Sequence, residues 1–142
     1  MSLINGIQHV GLEVDDVERT REFYRLLGLE EIPRPFPPGT ADGLWWRASN
    51  GQMVHMLVRP VPEKIPSVHF AFDVANLEEI VKVLESNGET CRAGLYAKGA
   101  GYAAFVTDPS GNVIELNQSD GLYDEAALRD GEAPSERITP KD

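Results

Sequence analysis

The sequence predicts an α+β fold of two βαβββ modules in tandem, and the main observation behind this prediction is an internal repeat. His9 lies 60 residues before His69, and His55 lies the same distance before Glu115. The segment that begins at His9 aligns with the one that begins at His69 for ten residues without a gap, and chemical type is kept at most positions. Because a repeat of this length forms one supersecondary unit, we expect the two modules to form a curved mixed sheet around a central cavity, with the helices on the outer face.

The first module is predicted to span residues 5–60. Residues 5–14 alternate between apolar and polar side chains, as a half-buried strand does. Asp16 is a suitable N-cap, and apolar side chains then recur at helical spacing until Gly28 ends the helix. Turn residues divide the rest of the module into three further predicted strands, at 29–34, 43–48 and 52–59.

The second module, predicted over residues 66–118, repeats this order of elements. A strand at 67–74 leads into a helix at 76–87, for which Asn76 is the N-cap. Three more strands are predicted near 89–95, 101–107 and 112–118. Three prolines between positions 60 and 66 favour a stiff, extended linker between the modules.

We treat residues 1–118 as a single domain, because one four-stranded sheet alone leaves a face exposed. Residues 119–142 differ in composition, since they hold seven acidic and three basic residues and few large apolar ones. This acidic C-terminal tail is expected to be mobile or to pack at a dimer interface. A homodimer is expected, because the open edges of a four-stranded sheet favour pairing.

Composition excludes several classes of partner. The formal net charge is −10, which argues against nucleic acid and anionic membranes, because both attract basic surfaces. No signal peptide and no apolar stretch long enough to span a membrane is recognisable, and the single cysteine, Cys91, fits a reducing compartment. We therefore predict a cytoplasmic protein that binds a small-molecule substrate.

Four side chains form a candidate metal site. By strand alternation they all lie on the sheet face opposite the apolar residues that cover the helices. Imidazole and carboxylate ligands together suit one divalent ion, and ligand type alone leaves zinc, nickel, cobalt, manganese and ferrous iron open. The predicted ligands are His9, His55, His69 and Glu115.

These residues, with their flanking motifs, resemble the vicinal oxygen chelate superfamily, which includes glyoxalase I, methylmalonyl-CoA epimerase, extradiol dioxygenases and bleomycin and fosfomycin resistance proteins. The resemblance covers about residues 5–118. The most specific motif reads Asp-Pro-x-Gly-x-x-x-Glu-Leu and lies near the end of the second module. The matching segments are Phe23-Tyr24-Arg25-Leu26-Leu27-Gly28, Val54-His55-Met56-Leu57, Val68-His69-Phe70 and Asp108-Pro109-Ser110-Gly111-Asn112-Val113-Ile114-Glu115-Leu116.

The resemblance implies a metal on the axis between the modules that binds neighbouring oxygens of the substrate. His9, His69 and Glu115 match the ligands that most members share. His55 stands where glyoxalase I has a glutamate that ligates and moves protons, so this chain lacks one candidate base. Glu115 would then both ligate and transfer the proton as the catalytic residue, or Glu13 would serve.

The resemblance leaves three functions open. The first is a metal-dependent lyase or isomerase of glyoxalase or epimerase type, which we favour. The second is a ferrous ring-cleaving dioxygenase, although that family's histidine and tyrosine are missing before the Asp-Pro motif and only Tyr102 lies near enough to reach the cavity. The third is a drug-binding or resistance protein of bleomycin or fosfomycin type.

Either Trp45 or Trp46 is expected to line the cavity, since adjacent strand residues face opposite sides.

Overall fold

The computed structural model describes residues 3–35, 43–60, 64–65, 68–94 and 102–118. The chain forms two compact units. Unit one holds the first module together with Asp108–Asn112, and unit two holds the rest of the second module. The acidic tail lies outside the described residues. The predicted fold class is confirmed, because each module forms a four-stranded mixed sheet with one helix in the described part of the chain.

Unit one forms in the predicted order. Asp16 caps its helix by accepting a hydrogen bond from the backbone N–H of Arg19 (3.1 Å). The sheet order is first strand, fourth, third, second, and the first and fourth strands run parallel. The helix between them supplies the long crossover that a parallel pair needs. The elements are β1 (His9–Val14), α1 (Val17–Leu26), β2 (Glu30–Glu31), β3 (Gly43–Arg47) and β4 (Met53–Val58).

Unit two repeats the order of elements and the order of strands in the sheet. Asn76 caps the helix by accepting from the N–H of Glu79 (3.1 Å), as Asp16 does 60 positions earlier. The first and last strands again run parallel. Gly28 and Gly88 end the two helices, both with positive φ, which glycine adopts without a steric penalty. The elements are β5 (His69–Asp73), α2 (Leu77–Ser86), β6 (Arg92–Gly94), β7 (Tyr102–Thr107) and β8 (Val113–Gln118).

In each unit the core lies between the helix and one face of the sheet. In unit one, the ring of Tyr24 on α1 stacks on that of Trp46 on β3 (centroids 6.1 Å apart), and both side chains are fully buried. In unit two, Leu77, Leu84 and Leu116 are fully buried. Neither helix of the described residues is both long enough and apolar enough to cross a membrane.

Three predicted strands were too long by three or four residues at one end. The strand predicted at 5–14 begins at His9, because its partner β4 begins at Met53, which pairs with His9. The strand predicted at 29–34 contains only Glu30 and Glu31, since Pro33 has no N–H to continue the ladder. The strand predicted near 89–95 begins at Arg92.

The Asp-Pro motif forms a turn in unit one in which one carboxylate accepts four hydrogen bonds. The carboxylate of Asp108 is 3% exposed and accepts from the Tyr24 hydroxyl (2.9 Å) and the Asn112 side-chain amide (2.8 Å). It also accepts from the backbone N–H groups of Ser110 (3.0 Å) and Asn112 (2.8 Å). A buried charge is tolerated only when donors compensate it, so the motif serves the fold of this unit.

We expect Asp108→Ala to lower the free energy of unfolding by at least about 3 kcal/mol, because four donors lose a buried, charged acceptor. Tyr24→Phe removes one of the four bonds and should cost about 1.5–3 kcal/mol. Urea unfolding followed by circular dichroism measures both. Ser110→Ala is the control, since its exposed hydroxyl bonds to Asp15 instead (2.7 Å) and should cost about 1 kcal/mol or less. Equal losses in all three variants would contradict the central role of Asp108.

Burial and the nearby carboxylates of Glu85 and Glu89 raise the pKa of the Cys91 thiol from 9.0 to about 11. The folded thiol keeps its proton where the unfolded one loses it, so its contribution to stability is complete below pH 9 and is lost as the pH rises through about 11. We expect Cys91→Ala to flatten the alkaline fall in the free energy of unfolding by up to about 1.4 kcal/mol per pH unit. A slope unchanged by the substitution would refute this. Burial also raises the pKa of Tyr24, so a residual slope is expected.

Candidate functional site

One pair of predicted ligands lies together in unit two. His69 Nε2 is 3.0 Å from Glu115 Oε2, and the Glu115 side chain is only 5% exposed. The parallel pairing of β5 with β8 sets this contact, because Ala71 pairs with Glu115 and His69 lies on the same face two residues earlier. The Asn117 side-chain amide donates to the other carboxylate oxygen, Oε1 (3.4 Å). The carboxylate is therefore held at both oxygens.

The second pair lies in unit one, where both imidazoles contact one indole and also each other. The ring of Trp45 lies 5.3 Å from that of His9 and 4.4 Å from that of His55, and the two imidazoles are 6.2 Å apart, centroid to centroid. The strand register explains this, because Trp45 pairs with His55 across β3 and β4. The indole Nε1–H donates to the sulfur of Met53 (2.9 Å). The Trp45 ring thus packs against both imidazoles.

Both imidazoles of unit one suit metal binding. His9 Nδ1 contacts the Gln8 side-chain oxygen (2.5 Å), so Nε2 is the ring nitrogen outside this contact. Burial, followed by the charges of His9 and Arg34, lowers the pKa of His55. A neutral imidazole is the form that ligates a metal ion.

The structure brings the four predicted ligands together as two pairs. Within the described segments, no group of three or more His, Cys, Asp and Glu side chains is close enough to hold a metal ion. The donor chemistry nevertheless fits a divalent ion, and the 3.0 Å between His69 Nε2 and Glu115 Oε2 suits two ligands at about 2.0–2.2 Å from one ion. The four-ligand set stays a prediction.

Strand register decides three expectations about neighbouring residues. Tyr102 pairs with Gln118, which puts it on the face opposite Glu115, so the prediction that it reaches the ligand face was wrong. Trp45 shares a face with the histidines, and Trp46 belongs to the core. The Glu13 carboxylate forms an ion pair with Arg59 (2.5 Å), whereas the Glu115 carboxylate lies beside another predicted ligand, His69.

Several residues near the predicted ligands were not predicted from the sequence. Phe105, 60 positions after Trp45, contacts His69 edge to face with centroids 5.6 Å apart. The repeat could have revealed it, because each module has an aromatic residue at this position. Gly43 is required for close approach, since a Cβ there would lie 2.1 Å from the Met56 carbonyl oxygen and 3.8 Å from His55 Nε2. Gln8, beside His9, gave no sequence signal.

Known proteins resemble this chain in sequence and in fold. The sequence matches the family model of the Glyoxalase/Bleomycin resistance protein/Dioxygenase superfamily over residues 6–116. It is 27% identical over 130 residues to Glyoxylase I 4 of Arabidopsis thaliana, a match that covers 84% of this chain and 74% of the relative. A glyoxalase family protein from Bacillus anthracis shares 28% identity with a TM-score of 0.74, over 84% of this chain and 99% of that one.

More distant structures share the fold alone. The fosfomycin resistance protein FosX from Listeria monocytogenes is 18% identical, with a TM-score of 0.69 over 82% of this chain and 94% of that one. That structure is of a mutant and contains Mn(II) and 1S,2S-dihydroxypropylphosphonic acid. At this identity the similarity supports the fold and carries no activity over to this chain.

Proposed function

Because this chain belongs to the Glyoxalase/Bleomycin resistance protein/Dioxygenase superfamily, we propose that it is a metal-dependent lyase or isomerase of glyoxalase or epimerase type. Its substrate would be a small molecule that chelates the metal through neighbouring oxygens. The observation that carries this proposal is the buried Glu115 carboxylate, held by His69 and Asn117 on the face away from the helix. The names of the relatives from Arabidopsis and Bacillus favour the same chemistry.

Glu115 is the proposed catalytic base. Its side chain is 5% exposed, so little bulk water reaches the carboxylate that would take the proton. It would take a proton from the carbon next to a substrate carbonyl and return it to the adjacent carbon, while the electron pair of the broken C–H bond moves to the carbonyl oxygen. Asn117 would keep the carboxylate oriented during both transfers through its bond to Oε1.

We propose His9, His55, His69 and Glu115 as the residues that hold one divalent ion. When bound, the ion supplies a Lewis acid that stabilises negative charge on the substrate oxygens. His69 orients Glu115, and Trp45 orients the two imidazoles of unit one. A cytoplasmic homodimer remains our expectation for the state in which the protein works.

The two alternatives make different demands on the chain. A ring-cleaving dioxygenase would need ferrous iron and oxygen, and the position of Tyr102 on the core face of β7 removes the tyrosine that could have assisted it. A drug-binding protein would retain its ligand after removal of metal. The FosX structures support the shared fold and leave the resistance function without a specific observation in this chain.

His69→Ala is expected to abolish tight binding of the divalent ion, because it also releases Glu115. His55→Ala should weaken binding less, by roughly 10- to 100-fold, if water replaces the fourth ligand. Elemental mass spectrometry of tag-free protein purified without chelators gives the metal content, and calorimetry gives the affinity. His69→Ala with unchanged metal content would refute the ligand assignment.

At saturating metal, we expect Glu115→Gln to lower kcat on the hemithioacetal of a 2-oxoaldehyde and glutathione by about 10²- to 10⁴-fold, because the amide cannot accept the proton. Glu13→Gln is the matched control and should stay within a few-fold of the wild type. Turnover should be the same with and without oxygen. Loss of turnover on removal of oxygen would favour the dioxygenase, and a reversed order of the two variants would move the base to Glu13.

A further inference from the structure

Unit one places the thioether of Met53, which the proposed function does not use, beside two of the proposed ligands of the divalent ion. Met53 pairs with His9 across β1 and β4, and His55 follows two residues later on the same face. We propose that the thioether of Met53 and the imidazoles of His9 and His55 form a binding site for cuprous ion. Thioether and imidazole are neutral donors, and the thioether favours Cu(I) over hard divalent ions.

The indole of Trp45 contacts all three proposed donors. It contacts both imidazoles, at centroid distances of 5.3 and 4.4 Å, and its Nε1–H donates to the Met53 sulfur (2.9 Å). A thioether sulfur has two lone pairs, so this bond leaves one for a metal ion. Trp45 is 5% exposed and pairs with His55 across β3 and β4, so the cluster packs against a buried residue of β3.

The spacing of the imidazoles fits a shared ion. Two imidazoles that each bind one ion at about 2.0 Å have ring centroids at most about 6.5 Å apart. The observed separation of His9 and His55 is 6.2 Å, close to that limit, so the two nitrogens would approach the ion from nearly opposite sides. Cu(I) accepts few ligands, and Met53 would supply the third. His9 is exposed and His55 and Met53 are half-buried, which leaves a path for the ion.

This site goes beyond the proposed function and does not depend on it. Glu115 belongs to unit two and takes no part in the copper site. The two metals would compete, however, because both would use His9 and His55. Cuprous ion would then displace the divalent ion and inhibit the enzyme.

The test is an anaerobic titration in which the protein competes with a chromophoric chelator for Cu(I), with Cys91→Ala as the background to remove the thiol. One equivalent per chain is expected. Met53→Leu, which nearly conserves volume, should weaken binding by about tenfold or more, since it removes the soft donor. Met56→Leu is the matched control on the opposite face of the same strand and should bind as the background does.

Fluorescence locates the ion independently. Cu(I) should quench the emission of Trp45, so quenching should disappear in Trp45→Phe and persist in Trp46→Phe, whose remaining indole contacts the imidazoles. Glu115→Gln should keep its affinity for Cu(I), whereas its affinity for the divalent ion should fall. Cu(I) affinity equal in the Met53→Leu and Met56→Leu variants, or lost in Glu115→Gln, would overturn the copper site. Wild-type protein that binds Cu(I) but no divalent ion would refute the proposed function alone.

Discussion

The parallel pairing of the first and last strand in each module is the constraint on which the rest of the structure depends. It joins β1 to β4 and β5 to β8 by pairing residues that lie 44 positions apart in the sequence, and the helix between them is the crossover that parallel strands require. A shift of this register by one residue would move Glu115 from the ligand face into the core and expose Ile114. The hydrophobic cost of that exchange fixes the register, and the register in turn sets the His69–Glu115 contact.

The turn before the last strand shows how one loop geometry serves two purposes. In the first module, Ala48 and Gly51 form the same pair of backbone hydrogen bonds that Asp108 and Gly111 form 60 positions later, in the second module. Only the later turn has a carboxylate at its first position, and this carboxylate collects four donors. The Asp-Pro motif is therefore explained by hydrogen bonding within unit one, and its presence marks the family without indicating an activity.

Much of the fold could be predicted because the repeat and the alternation of strands are local signals. The helix ends are marked in the sequence by residues that also lie there in the structure. The N-caps are Asp16 and Asn76, and the glycines after the last turns are Gly28 and Gly88. The strand ends could not be predicted, because pairing partners decide them, as Met53 does for His9. The alternation of strand residues could also predict that His9 shares a sheet face with His55 and that His69 shares one with Glu115, and the strand pairing confirms this. The supporting contacts of Trp45 and Phe105 depend on side-chain packing across strands, which no single segment encodes.

The duplicated modules have diverged in the chemistry of the donors rather than in the backbone. His9 and His69 occupy equivalent positions, and Trp45 and Phe105 contact them from equivalent places. The partner residue differs, since unit two has the carboxylate of Glu115 where unit one has the imidazole of His55, and Val113 where unit one has Met53. Unit two therefore offers an oxygen donor that binds hard ions and accepts protons, whereas unit one offers nitrogen and sulfur. The proposed site for a divalent ion and the proposed site for Cu(I) can thus arise from the same repeat. Each needs only a change of side chain on a strand face whose backbone geometry is already fixed.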